Sequence, residues 1–160
     1  MQKKPLVFIL ILASFFSQAQ SPYLVKDLVA SGTSGSSAPE WLTAYKNKLV
    51  FSATTFAQGN ELWESDGTES GTLLIKDLHI GNGAPVRNLT ICNDTLFFTT
   101  NESELWKTDG TGAGTVLVKA IGGLFINESY FIDVNGVLYF TANDGITGTP
   151  ITATAKPPLA

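Results

Sequence analysis

A chain of 160 residues with 44% apolar and 15% charged residues is about the size of one ordinary domain and too apolar to stay disordered. Its net charge of −4 argues against a nucleic-acid partner, since phosphate contact needs a basic face. One Cys and one His exclude a disulfide framework and an ordinary zinc site, and leave little for acid–base catalysis near neutral pH.

The first segment reads as an export address. Lys3 and Lys4 form a positive start, Pro5 to Phe16 is an apolar run, and Ser17 and Ala19 put small residues at the −3 and −1 positions for cleavage after Ala19. The run is too short for a membrane span, which needs roughly 20 apolar residues, so no transmembrane anchor is expected. Residues 1–19 are read as a signal peptide and 20–160 as the mature region, which loses two lysines and becomes more acidic. The chain is therefore expected outside the cytoplasm: secreted, periplasmic or at the cell surface.

The mature region repeats itself. ELWESDGTESGT at 61–72 returns as ELWKTDGTGAGT at 104–115, a spacing of 43 residues. YLVKDL at 23–28 returns as LLIKDL at 73–78 and VLVKAI at 116–121. KLVFSA at 48–53 returns as TLFFTT at 95–100 and VLYFTA at 137–142. In chain order the pattern predicts a leading strand over 23–28, then unit one over 41–78. Its strands are Trp41–Tyr45, Leu49–Thr54, Glu61–Ser65 and Leu73–Leu78, each short and rich in β-branched and aromatic residues. Unit two, over 86–121, repeats them at Val86–Ile91, Leu96–Thr100, Glu104–Thr108 and Val116–Ile121. A partial unit three covers 130–155. The triplets Leu49-Val50-Phe51, Leu96-Phe97-Phe98 and Leu138-Tyr139-Phe140 suit strands buried on both faces. No stretch shows a sustained helical period, so the chain is read as all-β. Four strands per unit of roughly 40–50 residues predict a β-propeller-like array of four-stranded antiparallel blades, about three of them, an incomplete propeller. The leading strand would then be half of a ring-closing clasp.

ELWESDGTESGTLLIKDL and ELWKTDGTGAGTVLVKAI resemble the ELWxxDGT repeat proteins, exported bacterial proteins expected to form propeller-like arrays. The resemblance spans most of residues 23–142 and implies no general activity. The third unit departs from it. After Gly148 the sequence reads TPITATAKPPLA with no third ELWxxDGT. That loss favours a truncated member or a fragment of a larger propeller over a terminal cap in which Pro150–Ala155 supplies a third strand.

The candidate site residues are those of the motif: Glu61, Leu62, Trp63, Asp66, Gly67, Thr68, Gly71 and Thr72, then Glu104, Leu105, Trp106, Asp109, Gly110, Thr111, Gly114 and Thr115. Asp-Gly-Thr suits a tight hairpin, because Asp accepts backbone N–H bonds, Gly takes φ > 0 and Thr hydroxyls satisfy loop donors. The alternative is a cation or ligand loop, with calcium at Asp66 and Asp109 as the one cofactor to test. Calcium wants six to eight oxygens, and one carboxylate per turn is sparse. Trp63 and Trp106 suit packing between blades better than a sugar-stacking platform. Glu61 and Glu104 share a face with them but belong to different units, so a glycosidase carboxylate pair is not expected. Lys26, Lys76 and Lys119 read as solvated residues or partners of Asp27 and Asp77. His79 lies in the connection HIGNGAP with no second His for a triad. Cys92 reads as a small apolar residue. Asn88, Asn93, Asn101 and Asn127 each begin an N-x-S/T triplet, which suits surface positions.

No catalytic residues are expected. The sequence favours a non-enzymatic exported binding or adhesion scaffold with an unknown protein or glycan ligand. The alternatives are an extracellular glycan- or peptide-acting enzyme domain and a truncated product without function. Two full units leave strand edges and apolar faces open, which predicts a chain that is marginally stable alone or self-associates.

Overall fold

The computed structural model describes residues 23–29, 35–79, 85–101, 104–120, 131–143 and 150–155; the predicted signal peptide lies outside them. Among the described residues every regular element is a strand. The first sheet orders β1 (Glu40–Tyr45), β2 (Lys48–Thr55), β3 (Gly59–Ser65) and β4 (Leu73–Lys76) as an antiparallel meander. The second repeats it with β5 (Arg87–Cys92), β6 (Thr95–Thr100), β7 (Glu104–Thr108) and β8 (Val116–Ala120). The third has β9 (Ile132–Val134), β10 (Val137–Asn143) and β11 (Pro150–Ala155), in the order β11-β10-β9.

The repetition reaches single residues. The hairpins β1–β2, β5–β6 and β9–β10 turn on Lys46-Asn47, Asn93-Asp94 and Asn135-Gly136, all with positive φ. Positive φ at both central residues marks the type I′ turn, whose twist matches that of the strands. β1 and β5 carry a bulge at the same place, where Trp41 and Asn88 take φ of 56° and 60°. Asn88 is buried there and donates Nδ2–H to Thr99 Oγ1 at 3.1 Å. This corrects its reading as a surface asparagine: Asn tolerates the left-handed bulge conformation, and its amide then turns inward.

Three apolar layers alternate with the sheets. Phe51, Ala53 and Trp63 meet Leu28, Leu49 and Leu74 on the outer face of the first sheet. Tyr45, Val50, Leu62, Val86, Leu89, Leu96 and Phe98 fill the space between the first and second. Cys92, Phe97, Leu105, Leu138, Phe140 and Ala142 fill that between the second and third. Each triplet therefore divides: its first and third residues face the preceding unit, and its second faces the following one. β1 runs against β5, and β5 against β9.

Two expectations change. Residues 23–28 are not a sheet strand; they pair with no described strand and lie over the first sheet, with Leu28 in its outer apolar layer. A strand-like pattern records which faces a segment buries, not whether a neighbour is present to bond it. Pro150–Ala155 does form a third strand, pairing with β10 from Leu138↔Ala155 to Asn143↔Pro150.

Candidate functional site

The two Asp-Gly-Thr loops are built alike. Thr68 donates both its N–H (2.9 Å) and its hydroxyl (2.7 Å) to Asp66 Oδ1. Thr111 does the same to Asp109 at 2.9 and 2.7 Å. These bonds hold both carboxylates below the usual range. Gly71 N–H donates to Thr68 Oγ1 and Gly114 N–H to Thr111 Oγ1, each at 2.9 Å. A hydroxyl relay finishes each loop. Gly67 N–H donates to Ser65, Ser65 to Thr72, and Thr72 to the Thr68 carbonyl. Gly110, Thr108, Thr115 and Thr111 repeat it.

The glycines of the motif serve two different needs. Gly67 and Gly110 have φ of +90° and +93°, which a side chain would strain. Gly71 and Gly114 instead lie under a carboxylate: a Cβ there would sit 2.0 Å from Asp66 Oδ1 and 2.1 Å from Asp109 Oδ1. Each loop brings one carboxylate, and among the described residues no three His, Cys, Asp or Glu side chains converge.

Lysines lock each loop from the preceding unit. Lys76 Nζ donates to the carbonyls of Thr115 (2.7 Å) and Gly112 (3.4 Å). Lys26 Nζ donates to Thr72 (2.8 Å) and Glu69 (3.4 Å). This corrects their reading as solvated residues or partners of Asp77 and Asp27. The contacts span 39 and 46 residues, so local sequence carries no trace of them. Tyr45 and Lys46 add bonds to the same unit: the Tyr45 hydroxyl donates to Asp94 O at 2.6 Å, and Lys46 Nζ to Asp109 O at 3.0 Å. Replacing Lys76 by Met is expected to lower stability by about 1–2 kcal/mol, the scale of a hydrogen bond from a charged donor. Urea unfolding measures this, and an unchanged midpoint would show the lysine to be a bystander.

The motif glutamates diverge. Glu61 is fully buried, and its Oε2 accepts Leu78 N–H at 2.8 Å. Its Oε1 and the indole Nε1 of Trp63 have no partner among the described residues. In the second sheet the Trp106 indole donates to Thr100 Oγ1 (3.0 Å) and Glu104 Oε2 (3.2 Å). Ala53 faces Glu61 across the ladder where Thr100 faces Glu104, so the first unit lacks that hydroxyl. Glu104 Oε2 also accepts the Thr100 hydroxyl at 2.5 Å and meets His79 Nε2 at 3.1 Å. His79 thus bridges the first unit to the second, a role its loop position did not suggest. Trp106 stacks on Phe98, centroids 6.3 Å apart and planes 15° from parallel, so its ring serves the layer between sheets.

The two carboxyls respond oppositely to their surroundings. Burial pushes the Glu61 carboxyl above the ordinary 4.5, against the pull of the Leu78 and His79 backbone N–H groups. Burial also raises Glu104, but Thr100, Trp106 and His79 outweigh it and hold that group below 4.5. Glu104 therefore contributes stability above about pH 4.5, and that stability is lost as pH falls through its folded value. Glu61 contributes most below pH 4.5 and loses its contribution as pH rises through its folded value. Glu104→Gln should cost about 1 kcal/mol at pH 7, and that cost should shrink as pH falls below 4.5. Glu61→Gln should be neutral near pH 3 and stabilising at pH 7. Urea midpoints across that range check both signs.

Cys92 is buried, and burial beside Asp133 pushes its thiol up to about 11, which leaves it unreactive. No protein-family model, curated protein or solved structure matches this chain.

Proposed function

We propose that the chain is an exported, non-enzymatic repeat scaffold of the ELWxxDGT kind, a β-propeller-like array whose exposed surface binds a protein or glycan outside the cell. The observation that carries this reading is that the motif is consumed by the fold. Asp66 and Asp109 shape their loops, Gly71 and Gly114 make room for them, Trp63 packs in the outer apolar layer of the first sheet and Trp106 in the layer between the first and second sheets. The Glu104–His79 pair joins two units and is held largely inside the seam between them, with 29% and 23% of the His79 and Glu104 side chains exposed. Consecutive four-stranded sheets whose first strands lie side by side are the arrangement that neighbouring blades take.

The test follows export and turnover together. The chain should be recovered outside the inner membrane with its N-terminus at Gln20. It should bind members of a glycan and peptide panel without releasing reducing ends or amines. Hydrolysis that Glu104→Gln abolishes while the variant stays folded would overturn the reading in favour of an enzyme.

A further inference from the structure

Two features of the fold are complementary. Residues 23–29 occupy the place of a fourth strand for a unit that precedes the first sheet. Lys26 grips the first Asp-Gly-Thr loop as Lys76 grips the second, with bonds of 2.8 and 2.7 Å to matching carbonyls. Leu28 covers the outer layer of the first sheet as Leu78 covers the next. Yet this segment has no described strand beside it, and Tyr23 and Leu24 are 64% and 78% exposed. The third sheet shows the converse. β11 occupies the third-strand position, and the edge where β4 and β8 pair in the other sheets has no strand among the described residues. Among the described residues no element covers the far face of this sheet either. The middle residue of each triplet faces the following unit: Val50 and Phe97 are each 1% exposed, whereas Tyr139 is 37% exposed.

We propose that a second copy of this chain closes this gap. Residues 23–28 of one copy pair as the fourth strand beside β11 of the other, and the Tyr139 face of that sheet packs against the first sheet that the segment already covers. An extended segment adding to an open sheet edge gains main-chain hydrogen bonds and buries apolar side chains together. The contact is heterologous, so it closes a ring when the rotation allows. Two copies bring six sheets, within the four to eight blades with which propellers close. The inference rests on the blade reading of the sheets given above.

Light scattering of the purified chain should give twice the chain mass. Leu24→Pro removes a ladder N–H from an exposed residue, and Tyr139→Glu puts a charge on the open face; each should yield a monomer. Leu24→Ala and Tyr139→Phe should remain dimers. A heterologous contact makes a further demand: mixing the Leu24→Pro and Tyr139→Glu chains leaves one intact pair of surfaces and should restore a two-chain species. A wild-type monomer, or a dimer that survives both disruptive variants, would overturn the inference. Hydrogen exchange separates the layers of argument. A monomer protected in all three sheets overturns the pairing alone, and a monomer without protected sheets overturns the blade reading as well.

Discussion

Replacing Gly114 by Ala is expected to destabilise the chain by about 3 kcal/mol, near the top of the overpacking range. The reason is space rather than backbone freedom. The added carbon would lie 2.1, 2.2 and 2.4 Å from the three carboxyl atoms of Asp109. A short Asp side chain has no flexible end to swing aside. It would have to leave the Thr111 N–H and hydroxyl, and Thr111 would then stop accepting from residue 114. The second loop would lose its internal bonding at once. In an Asp109→Ala background the obstacle is gone, so the same glycine change should cost only about 1 kcal/mol. The double-mutant cycle should then show a coupling of roughly 2 kcal/mol. Gly71 and Asp66 repeat the geometry at 2.0 Å and should repeat the coupling. Strict additivity in urea unfolding would show that contact with the carboxylate is not what selects glycine there.

This contact shows what the amino-acid pattern can and cannot reveal. The repeat spacing locates every strand of the first two sheets to within a few residues, because strand burial and turn chemistry are local. The Asp-Gly-Thr hairpin is legible for the same reason: Asp, Gly and Thr are the residues that such a turn needs. The recurrence of Gly71 and Gly114 is also plain in the sequence, but its cause is a carboxylate five residues earlier, visible only once the loop is folded. The Lys26 and Lys76 grips, the His79–Glu104 pair and the inward turn of Asn88 are further from reach. Each depends on how one unit seats on the next or on a bulge that changes the face of a single residue. Residues 23–28 illustrate the same limit from the other side. Their pattern matches LLIKDL and VLVKAI, and they occupy the matching position against the next unit, but a ladder requires a partner that the pattern does not supply.

Phe97 and Phe98 provide the second large effect, because neighbours in one strand serve different layers. Phe98 lies with Val50, Leu62 and Trp106 between the first and second sheets. Phe97 lies with Leu105, Leu138 and Phe140 between the second and third. Both are essentially inaccessible, so truncating either to Ala should cost about 3–5 kcal/mol from lost burial and the cavity left behind. In a stacked array stability is roughly a sum of unit and nearest-neighbour terms, so each loss should be felt mainly across its own interface. Phe98→Ala should speed amide exchange in β2 and β3 and loosen the Lys76 grip on the second loop. Phe97→Ala should instead release β9 and β10 while the first sheet keeps its protection. Exchange measured strand by strand distinguishes the two. Equal loosening of all three sheets by both variants would mean that the chain melts as a single undivided core, and the layers would then have no separate stability to couple.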